Sequence, residues 1–391
     1  MTAILTQLLG RLPVGWLQLT HNRTRMAAAL AGVAFANVLV FVQLGILGAL
    51  GATIATTYEP LRADIILAPS DASTLTDGSH VARRFLYQAL AVPGVTAAAP
   101  LYLAKLDWTR PDGSTASMQV YGLPPEAAAF ASSTIAQRFP LLRVQDTALI
   151  DTRTRGVSPD ELASVSPGAP LRFEANGLSL SAISTLSMGG GFTADGNLIV
   201  SDQTFLRLFG GRVAGAPSRI LVATAPGADP AAVVEAIRGG LHAAPITVAT
   251  REQAIAADKA YQGTQRPTGV IFGFGVFIGV LVGIVIVYQV LATDVADHLR
   301  EYATLKAMGY RQRYFLGVVF EEAVVLGVLG FVPGLALASL IYAAMTQATG
   351  LPVAMDAGRA AAVFLGTIGA CAMSGAIATR RLAGADPADL F

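Results

Sequence analysis

The sequence has few charged residues and almost no cysteine. Asp, Glu, Lys and Arg make up 14% of its 391 residues, whereas soluble globular chains usually carry about 25% charge. This deficit indicates that part of the chain lies in lipid, and the net charge of +1 gives no basic field for binding nucleic acid. Cys371 is the single cysteine, which excludes a disulfide within the chain and a zinc site built on cysteines.

The sequence also lacks the motifs of common catalytic sites. It contains no G-x-x-x-x-G-K-[ST] phosphate loop, no G-x-S-x-G elbow and no H-E-x-x-H zinc motif. The glycine-rich stretch at 187–191 has no lysine for a phosphate and is interpreted as a flexible hairpin or contact loop. We therefore expect no catalytic residue, metal or cofactor on this chain. A membrane-anchored enzyme is an alternative that turnover by the purified chain would revive.

Four long apolar segments are present instead. A hydrocarbon core of about 30 Å needs roughly 20 apolar residues in a helix, and residues 26–50, 268–293, 314–345 and 360–379 meet this requirement. A backbone in lipid must satisfy its own hydrogen bonds, so the segments are predicted to be helices. The first is too long for the apolar region of a cleaved signal peptide, which runs about 7–15 residues, and is interpreted as a retained anchor.

Arginine and lysine near the ends of these segments predict the orientation. Arg23 and Arg25 precede the first segment, Lys306 and Arg311 lie between the second and third, and Arg380 follows the fourth. The positive-inside rule then places both termini and the middle loop in the cytoplasm of a bacterium, with the protein in the inner membrane. The remaining predicted regions are an interfacial N-terminal helix at 1–25, a periplasmic domain at 51–267, a cytoplasmic loop at 294–313, a short periplasmic loop at 346–359 and a cytoplasmic tail at 380–391.

The long region between the first two segments has mixed patterns. Strand-like runs at 101–108 and 117–121 flank the turn signal Pro111-Asp112-Gly113, and residues 230–241 have apolar positions at helical spacing. The predicted fold class is therefore a membrane α-helical protein with four transmembrane helices and an extracytoplasmic α+β domain, arranged in two lobes.

The middle loop carries the most specific motif. It predicts a short amphipathic helix that ends at Gly309, a residue type suited to the position after a helix. Its sequence resembles the FtsX/MacB-type permeases of ABC transporters, whose short helix at this place docks on an ATPase subunit. The resemblance implies a separate ABC ATPase partner, in two copies, that holds ATP and Mg. The matching residues that it assigns to ATPase coupling are Arg300, Glu301, Leu305, Lys306, Met308 and Gly309.

Two further stretches, at 13–20 with the arginines after it and at 192–205, resemble DevC-type permeases. These are subunits of tripartite exporters, so the resemblance implies a homodimer, a HlyD/MacA-like periplasmic membrane-fusion adaptor and a TolC-like outer-membrane channel. It also implies a MacB-like extracytoplasmic domain, mechanotransmission through the helices and a lipid-like or amphipathic cargo, glycolipid-like in the family.

The apolar segments contain a few residues that suggest how they pack. Gly275, Gly279 and Gly283 recur at every fourth position, which lets helix backbones approach closely. Together with Asn37 they are predicted to lie at a two-fold homodimer seam formed by the first and second segments.

Glu321 and Glu322 lie near the predicted cytoplasmic end of the third segment. Negative charge is favoured near a helix N-terminus, so these residues are interpreted as interfacial stabilisers or as participants in coupling to the ATPase.

Two alternatives to an exporter stay open. One is an FtsX-like transducer that controls a periplasmic cell-wall hydrolase, and the other is a LolC-like permease for lipoprotein release.

Overall fold

The computed structural model describes residues 13–110, 113–241 and 244–383. The chain divides into two compact units, which we call the helical unit and the α+β unit. Among the described residues, the helical unit contains 13–48, Val270–Thr346 and 353–383. The α+β unit contains Ala49–Gly269 together with Gln347–Pro352.

The helical unit is built mainly from long apolar helices. Among the described residues, four helices are long and apolar enough to cross a membrane, which confirms the predicted fold class for this part. The helices named here are α1 (Val14–His21), α2 (Arg23–Tyr58), α9 (Pro267–Asp297), α10 (Leu299–Ala307), α11 (Gln312–Thr349) and α12 (Ala357–Ala383). Helix α2 continues beyond the predicted apolar segment, so its last residues belong to the α+β unit.

The α+β unit is organised around a nine-stranded mixed sheet with the strand order β5-β6-β4-β7-β3-β2-β8-β1-β9. The strands are β1 (Ile65–Pro69), β2 (Val95–Thr109), β3 (Thr115–Leu123), β4 (Thr147–Asp151), β5 (Leu171–Ala175), β6 (Leu178–Leu186), β7 (Gly196–Ser201), β8 (Arg219–Thr224) and β9 (Ile246–Thr250). The helices are α3 (Arg84–Leu90), α4 (Ser133–Ala136), α5 (Pro159–Ala163), α6 (Asp202–Leu208), α7 (Pro230–Gly240) and α8 (Arg251–Thr264), with 3₁₀ turns at Pro125–Phe130 and Phe139–Arg143.

Strand β2 joins the two halves of the sheet. Its first half, from Val95 to Leu101, pairs with β8, and its second half, from Tyr102 to Thr109, pairs with β3. The β2–β3 hairpin confirms the strands expected on either side of the turn signal; residues 111–112 of that signal lie outside the described part of the chain. The two lobes expected from the sequence thus share one continuous sheet.

Apolar side chains cover both faces of this sheet. Helix α7 confirms the predicted helical pattern, because Val233, Val234 and Ile237 are buried against β1, β8 and β9. Phe85 and Leu86 of α3 pack into the same cluster.

The glycine-rich stretch is held in place by one buried carboxylate. Asp151, at the end of β4, accepts hydrogen bonds from the backbone N–H groups of Met188 (3.1 Å) and Gly189 (2.8 Å). It also accepts one from Asn197 Nδ2 (2.7 Å) and one from the Arg153 N–H (3.0 Å). The interpretation of residues 187–191 as a flexible hairpin is therefore corrected, because the N–H groups of Met188 and Gly189 are hydrogen-bonded to the end of β4.

Candidate functional site

The loop between the second and third long helices forms the short helix α10. Gly309 has a φ of +95°, which favours glycine. Its N–H donates to the Lys306 carbonyl (3.0 Å), and the Tyr310 N–H donates to the Leu305 carbonyl (3.1 Å). These are the two hydrogen bonds of a Schellman motif, and they satisfy carbonyls at the end of the helix. The predicted end of the helix at Gly309 is confirmed.

One side of α10 is fixed to its neighbours in the helical unit by Tyr302. This residue is 2% exposed, and its ring lies edge-on to Phe315 of α11 at 5.4 Å. Its hydroxyl donates to Gln18 Oε1 of α1 at 3.1 Å. Tyr302 therefore connects α10 to both α1 and α11.

The opposite side of α10 and the turn after it are exposed. Met308 is 64% exposed and Tyr310 is 47% exposed, and Glu301 and Gly309 are exposed as well. We call Glu301, Met308, Gly309 and Tyr310 the exposed patch. It combines two large apolar side chains, one carboxylate and a backbone turn of fixed conformation, which are features of a protein-binding surface.

The six residues assigned to coupling are thus divided by the structure. Glu301, Met308 and Gly309 belong to the exposed patch, whereas Leu305 and Lys306 are half-buried beside it. The side chain of Arg300 lies outside what the structure describes. Tyr302, Leu305 and Met308 recur at every third position, and the structure buries the first, half-buries the second and exposes the third.

A charged cluster lies beside α10, where α9 ends. The Arg25 guanidinium contacts the Asp297 carboxylate at 2.5 Å and the Asp294 carboxylate at 3.5 Å. The His298 Nδ1 lies 3.0 Å from the Asp294 carbonyl oxygen. These groups line a cavity of about 210 Å³ together with Gln18 of α1. The cluster ties α2 to the end of α9 by charge-assisted contacts.

Glu321 and Glu322 lie on α11 but not at its N-terminus. The helix begins at Gln312, so both residues are more than two turns inside it, and the helix dipole acts mainly within the first turn. The expected stabilisation by a helix end is therefore wrong for these residues. Glu321 instead accepts a hydrogen bond from the Trp16 N–H at 3.3 Å.

Glu322 is completely buried beside the Asp294 carboxylate, and neither of its carboxylate oxygens accepts a hydrogen bond from the described residues. A Cβ added at Gly15 would lie 2.9 Å from Glu322 Cγ and 2.8 Å from the Val318 carbonyl oxygen. The absence of a side chain at Gly15 therefore lets α1 pack directly on α11 at this carboxylate.

The three spaced glycines of α9 pack against α2 of the same chain. An added Cβ at Gly275 would meet Gln43 at 2.6 Å, one at Gly279 would meet Val40 at 3.0 Å, and one at Gly283 would meet Ala36 at 3.2 Å. The close approach that the glycine spacing suggested thus occurs within one chain. The homodimer seam stays a prediction.

Asn37, which was grouped with these glycines, binds a different helix. Its Oδ1 accepts a hydrogen bond from the Thr367 hydroxyl of α12 at 2.6 Å. Sequence reasoning did not identify Thr367, and it also did not assign roles to Gly15 or Asp294. The signal for Asp294 was available, because it follows the apolar part of α9 and lies three residues before Asp297.

Parts of the chain are similar to known proteins. Residues 273–387 match the FtsX-like permease C-terminal family, a range that contains α10, α11 and most of α9. No curated protein matches the sequence. Among solved structures, the extracellular domain of the noncanonic ABC-type transporter YknZ from Gram-positive bacteria is 12% identical with a TM-score of 0.32, over 45% of this chain and 90% of that one. The periplasmic region of MacB from Actinobacillus actinomycetemcomitans is 9% identical with a TM-score of 0.34, over 51% of this chain and 95% of that one.

The resemblance of the α10 motif to FtsX/MacB-type permeases is therefore confirmed by a match that includes the motif itself. The long apolar helices that flank the motif account for a chain that crosses the membrane several times. The chain is thus a multi-pass membrane protein whose residues 273–387 match the FtsX-like permease C-terminal family.

Proposed function

We propose that this chain is the permease subunit of an ATP-driven tripartite exporter, in which a separate ATPase docks on the exposed patch of α10. The observation that carries the proposal is the patch itself, presented by a helix whose other side is held by Tyr302 within the FtsX-like domain. The sequence has no phosphate-binding loop of the G-x-x-x-x-G-K-[ST] type, so in the proposal ATP and Mg bind the partner.

In the proposed mechanism, the ATPase drives movement of the helices rather than chemistry on this chain. Closure of two ATPase subunits on a homodimer of permeases would push on Met308 and Tyr310. The push would reach α11 through the contact of Tyr302 with Phe315, and α1 through its hydrogen bond to Gln18. Such a movement is a shift of packed helices between two arrangements.

The proposed cargo is lipid-like or amphipathic, and the proposed route leads through a HlyD/MacA-like adaptor and a TolC-like channel. The DevC-type stretches at 13–20 and 192–205 support this route. An FtsX-like transducer or a LolC-like permease would use the same docking helix. A pull-down of the full chain distinguishes the exporter from the transducer, because the exporter retains a periplasmic adaptor and the transducer retains a cell-wall hydrolase.

The docking of the ATPase is tested by placing a charge in the exposed patch. Met308→Asp should reduce the stimulation of the partner's ATPase activity by about tenfold, since it puts a carboxylate into the apolar centre of the contact. Val213→Asp is the matched control, because Val213 is 62% exposed against 64% for Met308 but lies in the α+β unit. Both purified variants are reconstituted with the ATPase and assayed for phosphate release.

Unchanged stimulation by Met308→Asp would contradict docking at this patch. Equal losses in both variants would show a general effect of an added surface charge rather than a docking contact.

A further inference from the structure

Two buried carboxyl groups are in contact where α1, α9 and α11 meet. Glu322 of α11 is 0% exposed and Asp294 of α9 is 4% exposed, and their side chains are within hydrogen-bonding distance of each other. Neither oxygen of Glu322 accepts a hydrogen bond from the other described residues, and the Oδ2 of Asp294 accepts none either. Ionised carboxylates are acceptors only. The contact is therefore a hydrogen bond only if one of the two groups carries a proton.

The charges around this pair favour the bound proton. Glu321 adds a third carboxylate from α11, and Asp297 follows Asp294 by one turn on α9. Arg25 of α2 supplies the opposing charge, but its guanidinium is divided between Asp297 at 2.5 Å and Asp294 at 3.5 Å. Two like charges in contact inside a protein are strongly disfavoured, so one of two neighbouring carboxyl groups keeps its proton.

The other elements packed here bring uncharged groups to the pair. Helix α10 contributes Tyr302, and burial raises the pKa of its phenol, which therefore stays neutral. Helix α1 approaches with the backbone of Gly15. Helix α12 packs on α11 through Gly375, and its described residues after Cys371 include no titratable side chain. The charge balance of the site thus depends on α2, α9 and α11.

The pair is connected to solvent by the cavity of about 210 Å³ beside α10. Asp294 lines this cavity and Glu322 does not, so Asp294 separates Glu322 from the cavity. His298 also lines it, with its Nδ1 3.7 Å from Asp294 Oδ2. His21 and Asp297 on the cavity wall are exposed and polar. A water molecule needs about 10–15 Å³ of such space, so the cavity has room for several water molecules.

We propose that Glu322 and Asp294 form a proton-binding site whose occupancy determines whether α1 stays packed on α11. With the proton bound, the pair carries one negative charge, which faces Arg25. On release the O–H bond of Glu322 breaks, the proton passes along Asp294 to a water molecule in the cavity, and the Glu322 carboxylate keeps the electron pair. This second charge requires hydration. Because a Cβ at Gly15 would already lie 2.9 Å from Glu322 Cγ, water reaches the carboxylate only if α1 moves away.

The site itself requires neither an ATPase nor nucleotide. Only its use in a transport cycle rests on the proposed function. In that cycle a movement of α10 would reach α1 through the hydrogen bond from Tyr302 to Gln18, and each chain would release and rebind one proton.

The bound proton is tested by infrared spectroscopy of the purified full-length chain at neutral pH. The spectrum of the unchanged chain minus that of Glu322→Gln should contain the C=O band of one protonated carboxylic acid. Glu321→Gln is the matched control, since it changes the neighbouring residue and keeps an oxygen to accept from the Trp16 N–H. Its difference spectrum should contain the bands of an ionised carboxylate instead.

The link to α1 is tested by the distance between spin labels on α1 and α11. The labels are attached to Leu17→Cys and Leu316→Cys, at two exposed positions, in a Cys371→Ala background. The distance should increase as the pH rises from neutral to alkaline. It should stay short in Glu322→Gln, because the amide cannot ionise and keeps a donor for Asp294. Glu321→Gln should respond to pH as the unchanged chain does.

Only carboxylate bands in the Glu322→Gln difference spectrum would overturn the bound proton. A label distance that changes with pH equally with and without Glu322→Gln, or in neither, would overturn the link to α1. Should Glu322→Gln fail to fold, the unchanged chain decides, because its protonated carboxyl band should lose one group per chain between neutral and alkaline pH, and a constant band would overturn release. The expected results in a chain that does not support ATP-driven export would keep the proton site and reject the proposed function.

Discussion

Buried carboxylates accept very different numbers of hydrogen bonds in the two units. Asp151 of the α+β unit is 0% exposed and accepts hydrogen bonds from three backbone N–H groups and one side-chain amide. Glu322 of the helical unit is equally buried, and its oxygens accept none from the described residues. Asp258 of α8 is intermediate, with bonds from the Tyr58 hydroxyl and the Leu75 N–H.

The difference follows from where free backbone donors exist. A helix uses the N–H groups beyond its first turn internally, so a carboxylate between helices depends on side chains or on helix starts. Glu321 illustrates this, because its donor is the N–H of Trp16 near the start of α1. Asp151 lies beside a loop, where backbone N–H groups are free. Asp151 therefore fixes a loop in the α+β unit, whereas Glu322 in the helical unit receives no hydrogen bond from the described residues.

The largest effect is expected from removing the best-paired carboxylate. Asp151→Ala removes the acceptor of four hydrogen bonds, of which those from the Met188 N–H and Asn197 Nδ2 are buried. It should lower the free energy of unfolding of the α+β unit by about 3–5 kcal/mol. The measurement is denaturant unfolding followed by the fluorescence of Trp108, which is buried in this unit. The sequence has two tryptophans, so Trp16→Phe serves as the background.

The control for this prediction is Asp107→Ala, because Asp107 is exposed on β2. It should change the free energy of unfolding by less than about 0.5 kcal/mol. Similar small effects at both positions would mean that the loop at 187–191 does not depend on Asp151, and the contrast between the units would lose its clearest example.

The second effect concerns pH. Burial raises the pKa of the Asp258 carboxyl from 3.8 to about 6, although the N–H of Leu75 and the hydroxyl of Tyr58 oppose the shift. The folded protein therefore keeps a proton, between about pH 4 and 6, that the unfolded chain has lost. The stability from this group is full below pH 4 and is lost as the pH rises through 6, a change of roughly 3 kcal/mol.

The measurement is denaturant unfolding at pH 4, 5, 6 and 7 for the unchanged chain and for Asp258→Asn. The difference between the two should change with pH in this window, because the amide does not titrate. Asp107→Asn is the control and should leave the pH profile unchanged. If the difference in the free energy of unfolding between the unchanged chain and Asp258→Asn stays constant with pH, the predicted raised pKa of Asp258 is wrong.

Sequence patterns predicted the elements whose signals are local. The four apolar helices follow from segment length, α7 follows from spacing at 3.6 residues, and the end of α10 follows from Gly309. Helix α8 was not predicted although Thr250 and Gln253 form a capping box, because its mixed composition hides the apolar period. Strand β1 was also not predicted.

The candidate site was only partly predictable for a different reason. The motif identified α10, but the orientation of its faces depends on Phe315 and Gln18, which are distant from Tyr302 along the chain. The same holds for Asn37, whose partner Thr367 lies on the last helix. Contacts between distant segments decide which of several polar or apolar residues is buried, and no local pattern reports them.

The smallest effect on the free energy of unfolding is expected at Glu322, where substitution should stabilise the fold rather than destabilise it. In Glu322→Leu an apolar side chain replaces a buried carboxyl group that lies beside the Asp294 carboxylate and accepts no hydrogen bond from the described residues. The change should raise the free energy of unfolding of the helical unit by about 1–2 kcal/mol. Glu321→Leu, at the neighbouring position, removes the acceptor of the Trp16 N–H and should lower it by about 1 kcal/mol. Both are measured by unfolding followed by Trp16 fluorescence in a Trp108→Phe background. If both variants were destabilised, Glu322 would stabilise the helical unit. The two units would then differ only in how many donors surround each buried carboxylate.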